Sequence, residues 1–95
     1  MFVILLKFSA SRDRAGEFMD GHNAWLKQGF DDGVFLLAGS LQTGLGGAVI
    51  AQDDSRETIQ ARIDTDPFVE QGIVDAEILE IAPGMADERL QFLVG

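Results

Sequence analysis

The order of apolar segments along this chain of 95 residues predicts an α+β fold built on one four-stranded antiparallel sheet. Four short segments rich in Val, Ile, Leu and Phe have the length of strands, and two longer segments have apolar residues at helical spacing. Their order is strand-helix-strand-strand-helix-strand. The length is that of one small domain.

The first strand and the first helix are predicted from the apolar pattern of the first third of the chain. Residues 1–8 are apolar almost without interruption, which is typical of a strand covered on both faces. Residues 14–32 are predicted as a helix whose apolar stripe consists of Ala15, Phe18, Met19, Trp25, Leu26 and Phe30. We expect Ser11 or Asp13 to cap its start and Gly33 to follow its end.

A β-hairpin is predicted in the middle of the chain. Residues 34–40 form its first strand, residues 48–52 its second, and the glycine-rich residues 41–47 the loop between them. The run Gly44-Leu45-Gly46-Gly47 lacks the spacing of a dinucleotide-binding loop and the lysine and hydroxyl of a P-loop. We therefore interpret it as a flexible turn and not as a phosphate site.

The second helix and the last strand are separated by a proline. Asp54 is predicted to cap this helix, with a glutamate three residues on as in a capping box. The helix should stop before Pro67, because proline disfavours helical geometry at the preceding residue. Asp66 then suits the N-cap of a new short helix that begins with Pro67. Residues 73–81 form the fourth strand.

This order of elements is the split βαβ, ferredoxin-like arrangement, and it implies a second subunit. Two helices cover only one face of a four-stranded sheet, yet the first two strands are apolar on both faces. We therefore expect a homodimer through the open sheet face. Residues 1–83 make up the predicted domain. The C-terminal tail, residues 84–95, is expected to pack on the domain or on the partner subunit, because four of the five residues 90–94 are apolar.

Composition argues against several classes of function. A net charge of −9 without a basic cluster is unfavourable for binding nucleic acid or anionic membranes. The absence of cysteine excludes disulfides and thiolate metal sites, and it is typical of a cytoplasmic protein. One histidine without a second ligand at metal spacing predicts no metal site, and no redox cofactor is implied. Arg12 and Arg14, where the first strand meets the first helix, are expected to be solvated, and either is a candidate for countering a substrate anion.

His22 and Asp66 are the residues most suited to chemistry. His22 lies within the apolar stripe of the first helix, where it faces inward and needs a polar partner. It is either a general acid or base or a structural histidine bonded to a backbone carbonyl. Asp66 is held in place by the helix break, and it either only caps the helix or orients His22. Ser40 ends a strand and is a candidate polar group in a pocket.

Several segments, taken in order, resemble the YCII-related proteins over residues 1–83. They are His22 inside the first helix, Ala38-Gly39 at the end of the second strand, Asp64-Thr65-Asp66-Pro67-Phe68, and Gly72-Ile73-Val74. The resemblance implies a ferredoxin-like dimeric α/β barrel with a His–Asp active site, carried here by His22 and Asp66. Two departures are Met19, where the family often has arginine, and Ser40, where it usually has proline.

The family resemblance implies a small catabolic enzyme of the proton-transfer type. The expected reaction is a lyase, dehydrochlorinase or isomerase-like step on a small aromatic or lactone substrate, with His22 and Asp66 as catalytic residues. Ser40 and Phe68 are expected to line the substrate pocket. The alternative is a non-catalytic dimer that binds a small molecule or is an accessory protein. A pocket beside His22 that admits solvent favours the enzyme, and a fully packed His22 favours the alternative.

Overall fold

The computed structural model describes residues 1–52 and 55–95 and contains the predicted antiparallel sheet. Its strands are β1 (Phe2–Phe8), β2 (Phe35–Leu41), β3 (Gly46–Ala51) and β4 (Val74–Glu80). They lie in the order β2-β3-β1-β4, and each neighbouring pair is antiparallel. This is the ferredoxin-like arrangement, so the predicted fold class is confirmed.

Helix α1 (Ala15–Asp31) follows a 3-10 turn at Arg12–Arg14. The prediction that Ser11 or Asp13 caps it is wrong. The turn displaces both residues from the helix start, and neither Ser11 at the start of the turn nor Arg14 at the start of the helix makes a side-chain cap hydrogen bond. Gly33 has φ of 73° just past the helix end, as predicted for the left-handed position that glycine adopts most easily.

Two further helices follow the hairpin, α2 (Arg56–Ile63) and α3 (Pro67–Glu70). The cap of α2 is Ser55, whose Oγ accepts the N–H of Thr58 at 3.1 Å. The predicted cap Asp54 lies outside the described residues. Helix α2 ends at Ile63, earlier than the proline alone requires, whereas α3 begins with Pro67 and is capped by Asp66, as predicted.

The hairpin loop is shorter than predicted. Strand pairing continues to Leu41 and Gly46, and a 3-10 turn at Gln42–Gly44 joins the two strands. Gly46 has φ of 132°, and a Cβ at this position would overlap the carbonyl oxygen of Leu6. Glycine therefore allows β3 to pair closely with β1 from its first residue.

The hydrophobic core lies between the helices and one face of the sheet. From β1, alternate residues Phe2, Ile4 and Leu6 are buried, and Ile59 and Ile63 of α2 are fully buried against the same cluster. The alternating residues Val3 and Leu5 point to the opposite face and are only half-buried, since no helix covers that face within the described residues.

The C-terminal tail leaves the sheet at the end of β4. Ile81 and Met1 exchange hydrogen bonds of 2.9 Å beside that end. The tail then forms a 3-10 helix at Glu88–Leu93, in which Leu90 and Phe92 are exposed. Its packing on the domain or on a partner subunit stays a prediction. In the described part of the chain, no helix has the length and apolar character needed to cross a membrane.

Candidate active site

Helix α1 places His22 against two aromatic rings. The imidazole stacks on Phe68 with ring centres 4.1 Å apart and planes only 6° from parallel. The ring centre of Trp25, one turn along the same helix, lies 5.9 Å from that of His22. The His22 side chain is 13% exposed, so packing restricts the imidazole to one orientation without sealing it from solvent.

Asp66 holds His22 through one carboxylate oxygen. Its Oδ1 accepts a hydrogen bond from His22 Nδ1 at 2.9 Å and another from the backbone N–H of Phe68 at 3.0 Å. The residue is fully buried, and Oδ2 has no partner among the described residues. Asp66 therefore caps α3 and contacts His22 at the same time, so the two interpretations of this residue are compatible.

The sequence around the helix break brings the two residues together. Asp66 is extended, with φ of −64° and ψ of 124°, as expected of a residue before proline. Pro67 then packs against α1 beside His22, where a Cβ on Gly21 would come within 3.1 Å of Pro67 Cγ. A glycine next to the histidine thus lets α3 approach α1 closely enough for the hydrogen bond.

This hydrogen bond determines which imidazole nitrogen is free. A carboxylate can only accept, so Nδ1 carries the proton and donates it to Asp66. In the neutral ring, Nε2 then has the lone pair. His22 lines a cavity whose lining does not include Asp66, and Nε2 is the ring nitrogen that the hydrogen bond to Asp66 leaves available to a ligand there. The arrangement can take a proton from a bound molecule and return it.

The cavity has a volume of about 300 Å³ and lies between α1 and the helix-facing side of the sheet. The sheet contributes mainly apolar side chains from four strands: Leu6, Phe8, Ala38, Val49 and Val74. Ser40 lies on this wall, and Phe68 closes the cavity from α3. The structure thus places Ser40 and Phe68 in the same cavity as His22.

Three further residues of α1 line the cavity and were not predicted as site residues, namely Met19, Asn23 and Leu26. Met19 and Asn23 both border the cavity, on either side of His22 in the sequence. They are four residues apart and therefore adjacent on one helix face. The sequence signal for them is this spacing, together with the polar Asn23 beside the apolar stripe of the helix.

The candidate cations lie outside the lining. Arg12 stacks on Phe8, with Cζ 4.7 Å from the ring centre, and Arg14 lies over Phe18 and pairs with Glu17 at 3.6 Å. Neither arginine borders the cavity. Across residues 1–52 and 55–95, no group of three His, Cys, Asp or Glu side chains comes together as a metal site would require.

Comparison with known proteins identifies the family. No curated protein matches the sequence. Among solved structures, the fold is similar to 5-chloro-2-hydroxyhydroquinone dehydrochlorinase (TftG) from Burkholderia phenoliruptrix AC1100, solved in complex with 2,5-dihydroxybenzoquinone. The TM-score is 0.72 at 16% sequence identity, over 84% of this chain and 91% of the other. The family model described as "YCII-related domain" matches residues 1–82, and the chain therefore belongs to the YCII-related family.

Proposed function

We propose that this protein is a small catabolic enzyme that moves protons on a hydroxylated ring substrate, with His22 as the base. The observation that carries the proposal is the 2.9 Å hydrogen bond between buried Asp66 and His22 Nδ1, at the wall of a cavity of about 300 Å³. Asp66 orients the ring and stabilises the imidazolium that forms when Nε2 takes a proton.

Solvent access to the cavity supports an enzyme over a purely structural histidine. Asn23 and Ser40, which flank His22 from α1 and from β2, are both exposed, so the cavity opens to water on their side. Phe68 and the apolar strand residues cover the remaining walls. A ligand entering here would leave water and meet Nε2 in surroundings of low polarity, where proton transfer to a well-placed base is effective.

The reaction that we propose is the loss of HCl from a chlorinated hydroxyquinol. A hydroxyl proton passes to Nε2 of His22, and the oxygen lone pair becomes the second bond of a carbonyl. His22 returns this proton to the ring carbon that bears chlorine, which becomes tetrahedral in this tautomerisation. Loss of chloride and of a second hydroxyl proton then gives a hydroxyquinone. The net change is one proton and one chloride ion, so the step needs no oxidant or reductant.

The structural neighbour supports this choice among proton-transfer reactions. It is a dehydrochlorinase solved with a dihydroxybenzoquinone, and its fold is shared along most of both chains. A single substituted ring suits a cavity of about 300 Å³, which is at the lower end of the range for small-molecule sites. A lactone isomerisation would use the same pair, with His22 returning the proton to a different carbon.

Substitution of the pair tests the proposal. With a chlorinated hydroxyquinol as substrate, chloride release by His22→Gln should fall by about 10²- to 10⁴-fold, the usual contribution of a general base. Asp66→Asn should lower kcat while leaving KM similar, because asparagine also caps a helix but does not stabilise imidazolium. Asp20→Asn, on the exposed side of α1, is the control and should leave turnover unchanged.

Two results would contradict the proposed function. If His22→Gln and Asp66→Asn release chloride at the wild-type rate, the pair is only a buried hydrogen bond. If the wild-type protein binds the ring but neither releases chloride nor isomerises a lactone, it is a non-catalytic binding protein. Circular dichroism of each variant separates a loss of activity from a loss of fold.

A further inference from the structure

We propose that this cavity selects ring ligands that carry no charge, and that Asn23 and Ser40 orient them by hydrogen bonds. The inference rests on the proposed function, because it concerns the same site, but it is a statement about binding and not about turnover. It names the ligand class as neutral phenols and quinols, and it excludes their carboxylated analogues.

The side chains that line the cavity provide almost no charge. His22 is the one titratable side chain that borders the cavity within the described chain, and its Nδ1 is already bound to Asp66. No lysine or arginine borders the cavity in residues 1–52 and 55–95. A carboxylate that leaves water needs a cation or several donors to replace its hydration, and beside His22 the lining side chains offer only two neutral donors, Asn23 and Ser40.

The net charge of the chain acts in the same direction. With a charge of −9, the field of the protein repels an approaching anion. Arg12 is the cation to consider near this end of the sheet, because it stacks on Phe8, a lining residue, at 4.7 Å. Its guanidinium lies outside the lining, so it does not replace a cation inside the cavity.

Two neutral polar side chains remain available to a ligand. Asn23 extends from α1 and Ser40 from β2, so they approach the cavity from the helix and from the sheet. Neither side chain has a hydrogen-bond partner within the described residues. An amide and a hydroxyl can each donate and accept, which matches the hydroxyl and carbonyl groups of a neutral oxygenated ring.

Met19 occupies the position from which a cation would reach the ligand. It borders the cavity, is 40% exposed, and precedes His22 by one helical turn. Methionine keeps this part of the wall apolar. Met19→Arg should therefore supply the charge that the natural lining lacks.

Ligand pairs that differ in one carboxylate test the inference. The pairs are hydroquinone with 2,5-dihydroxybenzoate, and catechol with 2,3-dihydroxybenzoate. Binding is followed by the fluorescence of Trp25, whose ring lies 5.9 Å from His22, and by the NMR signals of His22. We expect the wild type to bind each neutral ring at least tenfold more tightly than its carboxylated partner.

Variants with matched charge separate the lining from the field of the whole protein. Met19→Arg should improve binding of the carboxylates at least tenfold. Met85→Arg adds the same charge at a residue that is 95% exposed and outside the cavity, so it should leave the preference unchanged. Asn23→Ala and Ser40→Ala should each weaken hydroquinone binding about two- to tenfold, the range of one ordinary hydrogen bond.

Three results would overturn the inference. Equal or tighter binding of the carboxylates by the wild type would show that the cavity accepts anions, and Arg12→Gln would then reveal whether Arg12 is responsible. If Met19→Arg and Met85→Arg improved carboxylate binding equally, the preference for neutral rings would come from the overall charge of the protein. Failure of both neutral rings to bind would reject the ligand class. Proton transfer by His22 would survive each result if His22→Gln still abolished turnover of the substrate that does bind.

Discussion

Glycine at particular positions of α1 determines how closely this helix approaches its neighbours. Gly29 is buried, and a Cβ there would overlap the ring of Phe35 on β2. Gly21 faces Pro67, where an added Cβ would lie 3.1 Å from Pro67 Cγ, a close contact that a small shift would relieve. At Gly16, near the start of the helix, a Cβ would meet no neighbouring atom within 4 Å. The three glycines therefore differ in what an added methyl group would meet.

Gly29→Ala should destabilise the protein by about 1–3 kcal/mol, because overpacking a core forces neighbouring side chains from their rotamers. Gly16→Ala is the matched control in the same helix. It should be neutral or stabilising by up to about 1 kcal/mol, since alanine favours the helix and meets nothing. Urea unfolding followed by Trp25 fluorescence measures both. Equal effects of the two substitutions would show that the close contact with Phe35 does not limit this position.

Helices α1 and α2 are joined by polar contacts at their C-terminal ends. Trp25 Nε1 donates to the carbonyl of Arg62 at 2.9 Å, and the Arg62 guanidinium pairs with Asp32 at 2.9 Å. Hydrogen bonds from Gln28 and then from Arg62 hold the pKa of Asp32 below its usual range. This contact therefore links the packing of the two helices to pH.

The depressed pKa of Asp32 predicts a loss of stability in acid. The contribution is present above the unfolded pKa of aspartate, about 3.9, and it disappears as the pH falls through the lower folded value. Asp32→Asn should therefore reduce the dependence of unfolding free energy on pH below about 4. Asp31→Asn is the control, because the partner of Asp31 among the described residues is Lys27 of its own helix. If the unfolding free energy of Asp32→Asn depended on pH below about 4 as steeply as that of the wild type, Asp32 would not be the source of the acid sensitivity.

At the scale of the whole molecule, the open face of the sheet carries apolar side chains that no helix of the described residues covers. Val3, Leu5 and Ile50 lie on it half-buried, and Leu37 and Leu79 are 59% and 45% exposed. Val3 is the register partner of both Ile50 and Leu79, and Ile50 is also that of Leu37. Leu5 follows Val3 by two residues on the same face of β1, so these side chains form one apolar patch. We propose that a second copy of the chain covers this patch, sheet against sheet.

Leu37→Glu should convert the predicted dimer into a monomer of 10.3 kDa, because the charge would be buried between the sheets. Leu45→Glu is the control, at an equally exposed leucine on the hairpin turn. Sedimentation at micromolar concentration measures both. A wild-type protein that stays monomeric would reject the dimer.

Truncation of the chain after Gly84 tests whether the tail takes part in the dimer. If the exposed Leu90 and Phe92 help to hold the partner, sedimentation should show a weaker dimer for the truncated chain.

Local sequence determined the elements and their order. Strand and helix periods, the proline at residue 67 and the glycine at residue 33 are properties of short segments, and the predicted bounds of most elements lie within two residues of those observed. The largest error is the end of α2, which stops at Ile63. No proline or glycine occurs there. The N–H groups of Thr65 and Asp66 donate to the carbonyls of Arg62 and Ile63, three residues back instead of four, and Asp66 then caps α3.

The tertiary structure alone decided how the site is assembled. His22 and Asp66 are 44 residues apart, and their contact depends on how closely α3 packs on α1, which Gly21 and Pro67 permit. Periodicity shows that His22 faces inward but not which residue it meets there. The inclusion of Asn23 in the cavity and the exclusion of Arg12 likewise depend on the distance between α1 and the sheet. Such distances are set by the packing of all core side chains together, which no single segment encodes.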